Sequence, residues 1–179
     1  MWRSQKANSV TIANTDPRFK FRAKKLTQLV HSVLKKIGYR GVALSLVFVT
    51  DSEIKRLNKR HLNHSWVTDV LAFPFFNPAK IKNSFLGEVI ISPKRAKIYS
   101  ERFGIPYEEE LVRYVCHGIL HLKGYSDYSK KARQIMEWKE NELIRLAVPV
   151  LAGTGFYYRP KKNLSRNRAG TVTRTRYGD

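Results

Sequence analysis

Apolar residues follow two spacings in the first part of the chain, and each spacing predicts a different element. Residues 10–14 form a short apolar stretch that predicts a strand, and residues 42–49 form a nearly continuous apolar run that predicts a strand buried on both faces. Between them, residues 19–37 carry apolar side chains at helical spacing, and Gly38 follows as a helix terminator. The chain therefore opens with a strand, a helix and a strand.

The remaining pattern predicts two more strands and four more helices, followed by a tail without apolar periodicity. The predicted elements are a helix over 50–61, strands over 69–73 and 85–91, a helix from residue 93, a helix over 106–122 and a helix over 130–148. Strands and helices segregate rather than alternate, so we predict one α+β domain over residues 1–150, a mixed four-stranded sheet packed with helices. Residues 151–179 are basic and lack an apolar period, so we expect a disordered tail.

The end of the helix predicted over 106–122 carries a candidate metal site on one face, like the metal helix of the zincins. His117 and His121 are four residues apart, which places their side chains about 5–6 Å apart on a helix. Gly124 then ends the helix, and Asp127 can return a carboxylate to the same ion. Three protein ligands and an open position are typical of a catalytic zinc site. We predict one Zn²⁺ at His117, His121 and Asp127, with hydrogen-bonded structural histidines as the alternative.

The same spacing matches the zinc-peptidase pattern H-E-x-x-H-x-x-G-x-x-H, but one essential residue is missing. Gly118 stands where those peptidases have the glutamate that acts as general base. Met136 lies within an amphipathic run, which predicts a core residue rather than a methionine turn. Cys116 points about 100° away from His117 on a helix, so we expect a small buried side chain and not a fourth ligand. A zinc metallopeptidase is therefore the weaker alternative.

The net charge of the chain indicates what kind of molecule it binds. Thirty-four Lys and Arg against 14 Asp and Glu give a net charge of +20, which favours a polyanion such as RNA over a merely solvated surface. The basic residues that we expect at phosphates lie on the first helix and in the tail: Lys24, Lys25, Lys161, Lys162, Arg166 and Arg168. Beside the tail, Phe156, Tyr157 and Tyr158 either stack on unpaired bases or pack on the domain.

Other classes of protein are excluded by cysteine content and hydropathy. Cys116 is the only cysteine, so an internal disulfide is impossible. The longest strongly apolar run, residues 42–49, is far too short to span a bilayer, and residues 1–16 have no signal-peptide core. We expect a cytoplasmic protein with no membrane partner.

Four segments, in the same order, resemble the YbeY family of metal-dependent endoribonucleases, which are ribosomal RNA maturation factors. The segments are LN at 57–58, VTDVLAFP at 67–74, LGEVIISP at 86–93 and HGILHLKGY at 117–125. The resemblance runs from about residue 10 to residue 148 and leaves the tail outside. It implies zinc ligands at His117, His121 and the position of Asp127, where most members have a histidine. The carboxylate cancels one unit of the metal's charge, so a water bound to the metal is less acidic than it would be with three imidazole ligands. The oxygen ligand also reduces the selectivity for zinc over manganese and other ions.

The resemblance also implies an activity. Members cleave single-stranded RNA and act in maturation of the 3′ end of small-subunit ribosomal RNA and in ribosome quality control. The metal-bound water is the candidate catalytic group, and the attacking nucleophile is either water or the neighbouring 2′-hydroxyl of the RNA. The alternative is an RNA- or ribosome-binding assembly factor with a structural metal. It stays open because Leu62 stands where the family usually has an arginine. Arg60 is the candidate substitute, although a helix turns it about 200° away from position 62.

Three further polar residues lie close to these motifs. His61 and His64 precede the VTDVLAFP segment and are either general acids or bases, or solvated loop residues. Asp69 precedes a strand, so we expect its carboxylate to accept hydrogen bonds from backbone amides.

Overall fold

The chain forms five helices and six strands in the computed structural model, which describes residues 7–75, 85–151 and 155–158. The strands are β1 (Ser9–Asn14), β2 (Phe19–Lys20), β3 (Ala43–Phe48), β4 (Val70–Pro74), β5 (Phe85–Ile91) and β6 (Tyr157–Tyr158). The helices are α1 (Ala23–Lys36), α2 (Asp51–Leu62), α3 (Pro93–Phe103), α4 (Tyr107–Leu122) and α5 (Lys130–Leu151). Among these described helices, none is long and apolar enough to cross a membrane.

Four of the strands form one mixed sheet in the order β1-β3-β5-β4. β1, β3 and β5 are parallel, and β4 runs antiparallel to β5 at the edge. This confirms the predicted α+β fold with a mixed four-stranded sheet. β3 is buried at every second residue and half-buried between, so the predicted burial is complete on one face only. On the other face, Val47 packs against a smaller apolar cluster beneath α2.

The main core lies between the sheet and three helices, α1, α4 and α5. α4 is the central element, since it contacts β4, β5, α3 and α5 and 12 of its 16 residues are buried. α2 packs on the opposite face through Ile54, against Val49, Leu71 and Ile90. The fold therefore carries the two histidines of α4 on a helix that is fixed from several sides.

The first helix begins later than its apolar spacing predicted. Phe19 and Lys20 form β2 and pair with Tyr158 and Tyr157 of β6. Phe19 lies seven residues before Leu26, so helical spacing extends to it, but its ring packs 4.7 Å from that of Phe48 in the core. The prediction of a helix from residue 19 is wrong, because a pairing with the distant β6 overrides local periodicity.

The chain after α5 returns to the core before the basic tail. Phe156 is buried, and its ring centroid lies 5.9 Å from that of Phe19. Phe156 therefore packs on the domain, one of the two roles predicted for residues 156–158, and its buried ring does not face solvent for stacking on bases. Lys161, Lys162, Arg166 and Arg168 lie outside the described residues.

Candidate metal centre

The end of α4 and the turn after it bring the three predicted ligands together. α4 carries Glu108, Glu109 and Glu110 in its first turn, where its dipole favours acidic side chains. Gly124 adopts a φ of 94°, a left-handed conformation that suits glycine, and Tyr125 N donates to the carbonyl of Leu120. This turn reverses the chain, so that Asp127 returns to the face that carries the histidines.

The three side chains converge on one point. His117 Nε2 lies 2.8 Å from His121 Nε2 and 4.0 Å from Asp127 Oδ2. One ligand atom from each of the three lies within 4.8 Å of the others, as in a group that could hold a metal ion. His117 is buried, whereas His121 and Asp127 are half-buried, so the group is reachable from solvent on one side.

The hydrogen bonds of the two rings orient their nitrogens toward each other. His117 Nδ1 donates to Glu140 Oε1 at 2.7 Å, and His121 Nδ1 donates to the carbonyl of Tyr125 at 3.0 Å. A carboxylate and a carbonyl only accept, so each Nδ1 carries the hydrogen and each neutral ring turns the lone pair of Nε2 inward. Two lone pairs at 2.8 Å repel unless a proton or a cation lies between them. Two imidazole nitrogens and a carboxylate oxygen are a donor set that fits Zn²⁺.

Behind His117 lies a buried charge network that the sequence did not reveal. Glu140 on α5 is fully buried, and its Oε2 lies 3.3 Å from Arg113 Nη1. The same Nη1 donates to Asn141 Oδ1 at 2.9 Å, and Arg113 Nε lies 3.8 Å from Glu110 Oε2. Burial of a carboxylate is costly unless it is paired, and here both of its oxygens are paired. Helical periodicity could have revealed that Glu140 is buried. It lies four residues after the core residue Met136, on the same buried face of α5.

The two histidines have opposite pKa shifts. Burial by itself would lower the pKa of His117, but the hydrogen bond and the negative charge of Glu140 outweigh it, so the pKa is raised. Burial lowers the pKa of His121, and the neighbouring positive charge of His117 lowers it further. Without a metal, the pair therefore favours a proton on His117 and disfavours a second one on His121.

Packing explains why position 118 is a glycine. A Cβ on Gly118 would lie 2.2 Å from Val89 Cγ1 and 3.2 Å from Val70 Cγ1, so a glutamate does not fit there. Cys116 and Met136 are fully buried, as predicted. Burial also raises the pKa of the Cys116 thiol to about 12, which keeps it protonated. The absence of a peptidase general base is thus imposed by the contact between α4 and the sheet.

Gly118→Ala should destabilise the protein by about 1–3 kcal/mol, because the added methyl group overpacks against Val89. Urea unfolding followed by circular dichroism measures this change. Gly38→Ala adds a methyl group with no atom within 4 Å, so any loss of stability there reports only the backbone penalty of its φ of 88° and not packing. A Gly118→Ala variant as stable as the wild type would contradict the packing argument.

The residues predicted on the loop before β4 have different surroundings. His61 is exposed, and its ring and that of Phe73 form a T-shaped pair with 5.0 Å between their centroids. His64 is exposed and stacks on Trp66. Asp69 Oδ1 accepts from Val70 N at 3.0 Å, which confirms the role expected for this carboxylate.

The predicted cations within the described residues lie on the surface. Arg60 is exposed on α2, two residues before Leu62, whose side chain is 51% exposed. Lys24 and Lys25 are exposed in the first turn of α1. These positions are available for phosphate contacts.

Comparison with known proteins agrees with the four-segment resemblance. The family model described as Endoribonuclease YbeY matches residues 11–147. An endoribonuclease YbeY of Persephonella marina is 37% identical over 118 residues, covering 65% of this chain and 77% of the relative. An endoribonuclease YbeY of Bacteroides fragilis is 33% identical over 125 residues, covering 70% of this chain and 87% of the relative.

A solved structure has the same fold. The solution structure of a Thermotoga maritima protein is 28% identical and superposes with a TM-score of 0.53, covering 76% of this chain and 87% of that one. The family match extends from β1 into α5 and includes His117, His121 and Asp127. The chain therefore belongs to the endoribonuclease YbeY family.

Proposed function

We propose that this protein is a zinc-dependent endoribonuclease that hydrolyses phosphodiester bonds of single-stranded RNA. The observation that carries the proposal is the cluster of His117, His121 and Asp127, with two Nε2 atoms oriented inward, in a chain of this family. Its cellular role is maturation of the 3′ end of small-subunit ribosomal RNA and ribosome quality control, in the cytoplasm. Relatives named as endoribonucleases and the net charge of +20 support RNA as the substrate.

His117, His121 and Asp127 would hold the ion. A zinc ion bound there supplies Lewis acidity toward a phosphoryl oxygen and lowers the pKa of a coordinated water. His117 is fixed by Glu140, and His121 is fixed by the carbonyl of Tyr125, so both rings are oriented before the metal binds. The half-buried His121 and Asp127 leave one side of the group open to solvent, from which an RNA phosphate would approach.

The direct test is cleavage of a labelled single-stranded fragment of ribosomal RNA. We expect purified protein loaded with zinc to cut it, and a chelator to stop the reaction. Re-addition of zinc should restore cleavage. A protein that binds the fragment tightly but never cuts it would instead be the non-catalytic assembly factor, which the exposed Leu62 at the usual arginine position favours.

Arg60→Ala should lower RNA turnover about 10-fold or more while the metal content stays unchanged, because a guanidinium near the phosphate stabilises the charge of the transition state. Turnover under saturating RNA and metal analysis by mass spectrometry measure the two quantities. Arg102→Ala removes an exposed arginine of α3, outside the basic side of α2, and serves as the control. Equal turnover in the two variants would show that Arg60 does not replace the missing arginine.

Deleting residues 159–179 should weaken RNA binding and flatten its dependence on salt. The deletion removes the basic residues of the tail and leaves Tyr157 and Tyr158 of β6 in place. For single strands, each lost phosphate contact reduces the slope of log K against log salt by about 0.7. Binding titrations at several salt concentrations give the slope, and an unchanged slope would exclude the tail from RNA contact.

A further inference from the structure

Two exposed aromatic rings stack in the loop between α2 and β4. The rings of His64 and Trp66 lie 4.2 Å apart between centroids with an angle of 17° between their planes. Trp66 is 57% exposed, and His64 is exposed as well. A parallel pair of rings on the surface has the shape of the aromatic platforms on which nucleobases stack.

Hydrogen bonds to one buried asparagine hold this loop in place. Asn58 on α2 donates from Nδ2 to the carbonyl of Trp66 at 3.1 Å. Its own carbonyl accepts from the backbone N–H of Asn63, which has a left-handed φ of 58°, and from that of His64 at 3.3 Å. The loop is thus tied to the last turn of α2, and the rings are presented on an ordered backbone.

The stacked pair lies close to the metal centre. Trp66 lies three positions before Asp69, so their Cα atoms are at most about 11 Å apart. The next residue, Val70, contacts the backbone of α4 beside His117, since its Cγ1 lies 3.2 Å from where a Cβ of Gly118 would stand. A strand of RNA that reaches the centre therefore passes within a few nucleotides of the rings.

The surface next to the pair is cationic. From residue 55 to residue 60, every exposed charged side chain of α2 is basic. These side chains are Lys55, Arg56, Lys59 and Arg60. In a single strand of RNA, such cations would contact the phosphates while the aromatic rings stack on a base.

We propose that His64 and Trp66 form a stacking subsite for an unpaired base of single-stranded RNA, with the phosphates of the strand on the basic side of α2. This inference rests on the proposed function and deepens it, because it assigns residues to single-strand preference. In a duplex both faces of a base are already stacked on neighbours, so the platform accepts only unpaired bases. A stacked base contributes about 5- to 150-fold to binding.

The test compares Trp66→Ala with Trp138→Ala, a tryptophan of α5 that is 61% exposed. The probes are fluorescein-labelled oligouridylate and an abasic oligomer of equal length, measured by anisotropy in chelator. We expect Trp66→Ala to weaken oligouridylate binding about 5- to 150-fold and to leave abasic binding unchanged. Trp138→Ala should change neither. Trp66→Ala keeps the carbonyl that Asn58 holds, and circular dichroism verifies the fold.

Each contrary outcome is distinct. If the wild type binds oligouridylate and the two tryptophan variants match it, the stacking subsite is wrong and the proposed function stands. If Trp66→Ala weakens both probes equally, the residue supports the fold and the subsite is wrong. If the wild type binds neither probe in chelator, the subsite is wrong, and the cleavage test with zinc decides the proposed function separately. A wild-type dimer in sedimentation that Trp66→Ala dissociates would assign the rings to a second copy of the chain and overturn the proposal.

Discussion

His121→Ala should abolish RNA cleavage, with a loss of about 1,000-fold or more, and should release the bound metal. The variant removes one of the two Nε2 atoms that face each other at 2.8 Å, and two remaining ligands hold a zinc ion poorly. A metal contributes several kcal/mol to stabilising the transition state, and each 1.4 kcal/mol is tenfold in rate, which sets the expected loss at about three orders of magnitude. Cleavage of labelled single-stranded RNA and the zinc-to-protein ratio are measured on the same preparation.

The control for this experiment is His31→Ala, which removes a histidine of α1 and passes through the same purification. It should keep both its metal and its activity. A contaminating nuclease would cut equally in the wild type, in His31→Ala and in His121→Ala. Cleavage that survives in His121→Ala would remove the metal centre from the mechanism, and absent cleavage in all samples with tight RNA binding would favour the assembly factor.

Glu140→Gln should weaken zinc affinity about 10- to 100-fold, the effect usual for loss of a carboxylate that orients a ligating histidine. Glu140 Oε1 accepts the Nδ1 hydrogen of His117 at 2.7 Å and thereby fixes the ring with Nε2 inward. The amide of glutamine has a single acceptor oxygen, so it cannot satisfy both His117 and Arg113. Competition with a fluorescent chelator measures the affinity, and nitrogen chemical shifts of His117 without metal report which ring nitrogen is protonated.

Glu110→Gln is the matched control for Glu140→Gln. Glu110 is a second buried carboxylate beside Arg113, with 3.8 Å between Oε2 and Nε, and it lies two helical turns before His117. Both variants remove a negative charge near Arg113, so both should lower stability. Only Glu140→Gln should change the zinc affinity and the nitrogen chemical shifts of the His117 ring. Equal zinc affinity in the two variants would mean that Glu140 acts only as a counter-charge for Arg113.

The local parts of the candidate metal centre could be predicted from sequence because short-range geometry brings them together. Two histidines four residues apart share a helix face whatever the helix packs against. A glycine after the last turn permits the left-handed residue that reverses the chain, and Asp127 follows close behind. The strands over β3, β4 and β5 were equally predictable, since their apolar runs are bounded by turn and capping signals.

By itself, then, the sequence determined the four strands of the main sheet, the five helices apart from the start of α1, the α+β class and the trio of candidate ligands. Only the tertiary structure decided which distant side chains complete the site. Glu140 meets His117 across 23 positions of sequence because α5 packs along α4. In the same way, Val89 of β5 leaves no space for a side chain at position 118, and pairing with β6 makes Phe19 part of a strand rather than a helix. Periodicity encodes which face of an element is buried, but the partner that buries it depends on how all elements pack together.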